Sequence, residues 1–158
     1  MRRIAITYGL YFFAGLISIF LVSYAAGVAA NYELRIINGL LHTVVLYYGI
    51  KQLRIDKPST HQNYVSGVAQ GFYIGAVGTI LFMIFITLFL AFNASFLAEL
   101  QAASGWRTLL TPIMGGTFVL MEGVAVSIIG AYVMTRYVDM RLELKAGAGK
   151  AYASRGDI

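Results

Sequence analysis

The chain has 158 residues, of which 59% are hydrophobic and 12% are charged, and it carries a formal net charge of +5. A soluble domain is about 45–50% apolar and about 25% charged, so this composition excludes an ordinary soluble domain and indicates an integral membrane protein. The sequence contains no cysteine, which excludes disulfide bonds, thiolate chemistry and cysteine-ligated metal centres.

Four apolar stretches predict four transmembrane helices. They cover roughly residues 4–29, 34–50, 65–92 and 112–134. A membrane-spanning helix needs about 20 apolar residues, so the second stretch is short for a span. The first stretch directly follows Arg2 and Arg3. It is longer than the apolar part of a signal peptide (about 7–15 residues), which predicts a retained anchor.

The positions of the basic residues predict the orientation of the chain. Ten of the twelve lysine and arginine residues lie at the N-terminus, between the second and third stretches, or after the fourth. Arg35 and Arg107 are the two exceptions. Because basic residues concentrate on the cytoplasmic side, both termini are predicted to be cytoplasmic, in a multi-pass protein of the bacterial inner membrane. Anionic lipid headgroups account for the positive charge, so no nucleic-acid partner is implied.

The predicted fold is an all-α membrane protein, an up-down bundle of four transmembrane helices. The helix of the fourth span is expected to continue to about residue 145. Residues 1–147 then form a single transmembrane domain, and residues 148–158, rich in Gly, Ala and Ser, form a flexible cytoplasmic tail.

The loop between the third and fourth spans predicts a short helix in the outer membrane interface. Phe96 and Leu100 recur there at helical spacing, and Ser104-Gly105 supplies a plausible end. Trp106 follows and is predicted to anchor the outer interface, as is Arg35 at the outer end of the second span.

Small residues form two rows that predict close helix packing. The rows are Gly67, Gly71 and Gly75 on the third span, and Gly116, Gly123 and Gly130 on the fourth. Such residues let neighbouring backbones approach within a membrane. The rows fit packing inside one chain, a homo-oligomer, or docking against a larger membrane complex.

Polar residues within the predicted spans indicate a buried polar centre. The candidates are Glu122, His42, Asn38 and Gln70. A carboxylate at bilayer depth is costly unless it is protonated or partnered. At 1.5 Å per residue, Glu122 and His42 lie at depths of roughly 15 and 10 Å, and Gln70 lies nearer the cytoplasmic side. We therefore expect a dry contact of Glu122 with His42 or with a backbone group.

Each candidate has more than one interpretation. Glu122 fits a protonated hydrogen-bond donor between helices, a coupling group for protons or cations, or a contact to a lipid or small ligand. His42 fits a satisfied interior histidine better than a metal or haem ligand, because the other histidine, His61, lies in a predicted cytoplasmic loop. No zinc-protease, nucleophile-elbow or phosphate-loop motif is present, so we predict no enzyme activity and no cofactor or metal.

Two functions follow from these features. The first is a non-enzymatic integral membrane protein that acts through helix–helix association, as an accessory subunit of a larger membrane complex or as a homo-oligomer. The alternative is a small proton-coupled transporter or channel that uses Glu122.

Several stretches together suggest a family. They are the apolar start at residues 4–10, the glycine-then-basic exit at 47–54, the polar entry at 64–75 and the closing span at 123–136. In these features the chain resembles small four-span bacterial membrane proteins of the family catalogued as domain of unknown function 4199. The resemblance covers most of the chain. It implies the four-span topology and no particular activity.

Overall fold

The computed structural model describes residues 1–31, 33, 35–104 and 109–153. For residues 35, 61, 62 and 146–153 it describes the backbone only. Within these ranges the chain is helical and contains no strand. The α-helices are α1 Arg2–Ala25, α2 Arg35–Asp56, α3 Tyr64–Phe92, α4 Ala94–Ala103 and α5 Pro112–Ala153, and a 3-10 helix covers Pro58–Gln62.

Three of the helices, α1, α3 and α5, are long and apolar enough to cross a membrane. This confirms a helical membrane protein at the level of length and composition. The remaining long helix, α2, has 22 residues, or about 33 Å at 1.5 Å per residue. It is long enough to span, but it is more polar than the other three and is not among the candidate spans of the described chain.

The end of α1 differs from the prediction. The helix ends at Ala25, about four residues early, because Gly27 takes a left-handed conformation with φ of 69°. The amide of Gly27 donates to Tyr24 O at 3.0 Å and the amide of Val28 to Ser23 O at 2.9 Å. This pair of hydrogen bonds is a Schellman motif, which satisfies the last carbonyl groups of a helix.

The predicted end of the second helix is also wrong. We expected it near residue 50, but α2 continues to Asp56. A proline disfavours helical backbone at the residue before it. Lys57, which precedes Pro58, accordingly has φ of −134° and ψ of 77°. The extra turns carry Arg54 out of the predicted loop and onto a helix that faces the core.

The glycine rows pack inside the chain, between α3 and α5. Gly67 lies against Thr135, Gly71 against Ala131 and Gly75 against Ser127. From the other side, Gly116 lies against Thr87, Gly123 against Thr79 and Gly130 against Leu46 of α2. A Cβ atom at any of these glycines would overlap its neighbour. The close approach of α3 and α5 therefore depends on both rows.

The short helix predicted after the third span is present as α4, Ala94–Ala103. Buried Phe96 holds it against α1 and α3: its ring centroid lies 6.0 Å from that of Phe20 and 5.9 Å from that of Phe89. Gln101 Nε2 donates to Leu110 O at 2.8 Å, which links α4 to the segment before α5. We call this part of the molecule the α4 end, and the opposite part the Arg54 end.

The last helix is longer than predicted. α5 begins at Pro112, as expected, with Met114 N donating to Thr111 Oγ1 at 3.2 Å, and it runs to Ala153. It therefore includes the first six residues of the predicted tail. Residues 154–158 lie outside the description, and the flexibility of the tail stays a prediction.

Candidate functional site

Two adjoining cavities lie among the helices toward the α4 end. The larger has a volume of about 610 Å³ and the smaller about 180 Å³. Residues of α1, α3, α4 and α5 and Asn38 of α2 line the larger one. The two cavities share Asn38, Phe82, Val119 and Glu122 as lining residues. We call the pair the shared site.

The larger cavity has mostly apolar walls. Phe20, Phe82 and Phe96 contribute aromatic rings, and Ile86 and Leu90 add aliphatic surface. The rings pack edge to face, with the centroids of Phe20 and Phe82 6.4 Å apart. Each ring is therefore positioned by its aromatic neighbours. A volume of this size falls within the range of about 300–1,000 Å³ that is usual for small-molecule sites.

The smaller cavity is bordered by His42. This side chain is only 4% exposed, and its ring lies 4.3 Å from that of Phe12. Its Nε2 atom is 3.1 Å from Ser127 Oγ, and that hydroxyl is 2.5 Å from the carbonyl of Gly123. Because the hydroxyl donates to the carbonyl, its oxygen accepts from Nε2–H of the imidazole. His42 is thereby fixed between α1 and α5.

Three of the four predicted polar residues meet at the shared site. Glu122, Asn38 and His42 all line the smaller cavity. Glu122 is exposed by relative surface area and borders both cavities, and the expected contact with His42 or a backbone group stays a prediction. His42 bonds Ser127 through its Nε2, and a direct pair with Glu122 stays a prediction.

The fourth residue, Gln70, was wrongly grouped with the others. It is fully buried at the Arg54 end of α3. In the amide orientation that satisfies both of its polar groups, Nε2 donates to Met1 O at 3.2 Å and the oxygen accepts from Ala5 N at 3.1 Å. Gln70 therefore adds a side-chain contact to the first backbone hydrogen bond of α1, in which the Ala5 amide donates to Met1 O at 3.0 Å.

Several buried oxygens at the cavities have no hydrogen-bond partner among the described residues. They are Asn38 Oδ1, Thr79 Oγ1 and Ser104 Oγ, and a fourth, Thr87 Oγ1, lies away from both cavities. An unsatisfied buried polar group costs about 1–3 kcal/mol. Each of these oxygens has almost no accessible surface, so it lies behind the cavity walls rather than facing the cavities.

Sequence reasoning missed a buried ion pair at the Arg54 end. Arg54 is 1% exposed and Asp139 is 6% exposed. The guanidinium donates to both carboxylate oxygens of Asp139, at 2.8 and 3.0 Å. Its Nη1 also donates to Ser66 Oγ at 2.9 Å and to the carbonyl of Thr60. One side chain thus joins α2, the 3-10 helix, α3 and α5.

A signal for this pair exists in the sequence. Leu46, Ile50 and Arg54 are spaced four residues apart, so a helix that continues beyond Ile50 places Arg54 on the buried face. The assumption that α2 stopped at Ile50 hid that relation.

Two further predictions fall outside the described part of the chain. They concern the side chain of Arg35 and residue Trp106, whose roles as interface anchors stay predictions.

Comparisons with protein-family models, with curated proteins and with solved structures found no match. The resemblance to the domain of unknown function 4199 family therefore stays a prediction.

Proposed function

We propose that this chain is a four-span, non-enzymatic membrane protein that binds a small solute in the shared site and moves it across the bilayer. Glu122 is the coupling group, because this acidic residue lines both cavities. A carboxylate in the membrane can hold either a proton or a cationic solute, and exchange between the two couples their movements. The position of Glu122 on the cavity wall is the observation that carries the proposal.

The packing of the glycine rows favours this function over helix–helix association. Both rows are occupied by contacts within the chain, so they supply no open surface to a partner. The cavities, in contrast, bring together apolar walls and a few polar groups, which is the usual composition of a ligand site.

Proton flux in liposomes tests the proposal. We expect the native protein to dissipate an imposed pH gradient faster than Glu122→Gln, which keeps the size of the side chain but cannot exchange a proton. Glu99→Gln is the matched control, since Glu99 is an exposed acid on α4 that borders neither cavity in the described chain. Background flux in the native protein, or equal flux in Glu122→Gln, would rule out the coupling role.

A second candidate is the accessory subunit or homo-oligomer predicted from the sequence. The outer face of α5 favours it, because only 11% of the apolar window of that helix is buried, against 39% for α3. Exposed apolar residues such as Ile113, Met121 and Ile129 lie along it. Lipid also covers such a face, so native mass in mild detergent is the test. A monomer without a co-purifying partner would exclude this function.

The proposed topology has α2 as the fourth span and both termini in the cytoplasm of a bacterium. The contacts of α2 with α1, α3 and α5 support a place for it in the bundle, and the distribution of basic residues supports the orientation. Single cysteines at Ser59 and Ser95 test it, because both residues are exposed and the native chain has no cysteine. We expect an impermeant reagent to label intact cells at position 95 only. Labelling of both positions would contradict the topology.

A further inference from the structure

Aromatic and basic residues meet at the Arg54 end, where α2 and α5 lie side by side. The ring centroids of Tyr47 on α2 and Tyr137 on α5 are 5.9 Å apart. Lys51 Nζ lies 5.7 Å from the ring centroid of Tyr47. The guanidinium carbon of Arg141 lies 5.2 Å from the ring centroid of Tyr137. Two cations therefore flank a pair of adjoining rings, and we call these four residues the basic–aromatic cluster.

Both cations of the cluster keep hydrogen-bond donors for a ligand. Arg141 donates to the hydroxyl of Tyr137 from Nε at 3.1 Å and from Nη2 at 2.8 Å, which fixes the position of its guanidinium. A guanidinium has five N–H groups, so three remain. The ammonium of Lys51, with three donors, has no hydrogen bond or ion pair within the described part of the chain. An anion that reaches both groups would accept charge-assisted hydrogen bonds.

The carboxylates of this end do not neutralise the cluster. Asp139 is buried in the ion pair described above. Glu143 lies two residues from Arg141, and residues two apart do not share a helix face. Asp56 accepts from Gln52 Nε2 at 2.8 Å and lies on the last turn of α2. The cluster is therefore a positively charged part of the surface.

The cluster lies at the depth of lipid headgroups and continues into an apolar groove. Arg141 is about 44 Å along α5 from Pro112 at 1.5 Å per residue, and a bilayer with both headgroup layers is about 40–45 Å thick. Val44 and Val133 lie one turn further into the bundle, on the same helix faces as the two tyrosines, and both are exposed. A ligand of the cluster therefore meets a charged surface at one end and an apolar surface beyond it.

We infer that the basic–aromatic cluster binds the headgroup of an anionic phospholipid, with its phosphate neutralised by Lys51 and Arg141 and its acyl chains in the groove between α2 and α5. Basic groups between membrane helices hold such headgroups, and tyrosine is enriched at the membrane interface. The inference goes beyond the proposed transport function and does not depend on it, because none of the four residues lines either cavity. From the proposed topology it takes only that this end lies at a membrane surface.

Native mass spectrometry of the full chain in mild detergent tests the inference, with dioleoyl lipids that differ only in the headgroup. We expect the first phosphatidylglycerol to bind at least about fivefold more tightly than phosphatidylcholine, because choline balances the charge of its own phosphate. Lys51→Gln and Arg141→Gln should each weaken the binding of phosphatidylglycerol about fivefold and leave that of phosphatidylcholine unchanged.

Arg136→Gln is the matched control for the loss of one positive charge. Arg136 is an exposed arginine of the same helix, but it lies about 140° around the helix from Arg141. We expect this variant to bind phosphatidylglycerol as the native protein does. Lys51→Arg and Arg141→Lys, which keep the charge, should retain most of the binding. Melting temperatures in lipid-free detergent identify any variant that loses binding because it is unfolded.

The outcomes separate a lipid site from general surface charge and from the other proposals. Equal binding of the two lipids would overturn the inference, as would equal losses in Arg136→Gln and Arg141→Gln. Displacement of phosphatidylglycerol by excess inorganic phosphate would also contradict it, because the cluster would then bind a soluble anion. Failure of Glu122-dependent proton flux, or a reversed topology in the cysteine labelling, would leave these binding results unchanged.

Discussion

Arg54 and Asp139 form the most completely buried charged contact in the described chain, and their energetics follow from that burial. Both charges have lost water, and the guanidinium recovers hydrogen bonds to Asp139, Ser66 and Thr60. Removing one partner leaves the other charge buried without compensation, which typically costs about 3–5 kcal/mol. Replacing both partners with apolar residues of similar volume is often neutral.

We therefore predict that Asp139→Asn lowers the free energy of unfolding by about 3 kcal/mol and that the double variant Arg54→Met, Asp139→Leu recovers most of the loss. Thermal unfolding in detergent measures both. Arg141→Gln is the control, because Arg141 is an exposed arginine of the same helix whose partner is the hydroxyl of Tyr137. A wild-type melting temperature for Asp139→Asn would show that the ion pair contributes nothing to stability.

The polar residues differ in how far the sequence could place them. Asn38 and His42 were correctly grouped, because residues four apart share one face of α2, and both border the shared site. Partners across helices could not be predicted, because hydrogen bonds such as His42–Ser127 depend on the relative rotation of α2 and α5. Depth along the membrane, which the sequence does give, restricts the choice of partners without selecting one.

At the level of elements, the contact of α3 with α5 is the most extensive in the bundle. Gly75 is its tightest point, where an added Cβ would overlap the hydroxyl of Ser127 that bonds His42. Overpacking of a closed contact costs about 1–3 kcal/mol. Gly39 of α2, in contrast, is not in a close helix contact, because nothing lies within 4 Å of the position that its Cβ atom would take.

Gly75→Ala is therefore predicted to lower the melting temperature, with a loss of about 1–3 kcal/mol, because α3 and α5 must move apart. Gly39→Ala should be neutral or slightly stabilising, since alanine favours helical backbone over glycine. Thermal unfolding of the two variants side by side makes the comparison. Similar melting temperatures would contradict the close approach of α3 and α5.

Helix ends were the least predictable elements. Apolar residues continue through residues 28–30, so composition alone predicts a first span that extends past Gly27. The helix instead ends before Gly27, which has a left-handed backbone conformation. The second apolar stretch ends before the charged residue Lys51, but a charged residue is compatible with a helix, and α2 continues until Pro58 limits it. Two boundaries were predicted correctly. α3 ends at Phe92, directly before Asn93, and α5 begins with Pro112.

For the whole molecule, composition predicted the class, and helical periodicity with glycine spacing predicted the main contacts. The cavities could not be predicted, because they depend on how residues of helices distant in the chain come together around Asn38, Phe82 and Glu122. No pattern along the chain encodes that arrangement. The proposed function depends on it, since the shared site is where Glu122 would meet a solute.

Reaction of a single cysteine at Val119 tests the central claim, that the cavities admit solute to Glu122. Val119 borders both cavities, and Ile129 of the same helix, exposed but away from them, is the lipid-facing control. A thiol reacts as its thiolate, which does not form in apolar surroundings. In liposomes we predict that a cationic methanethiosulfonate reagent modifies Val119→Cys at least about tenfold faster than Ile129→Cys. Equal, negligible rates at the two positions would show that no solute reaches Glu122 and would contradict the account.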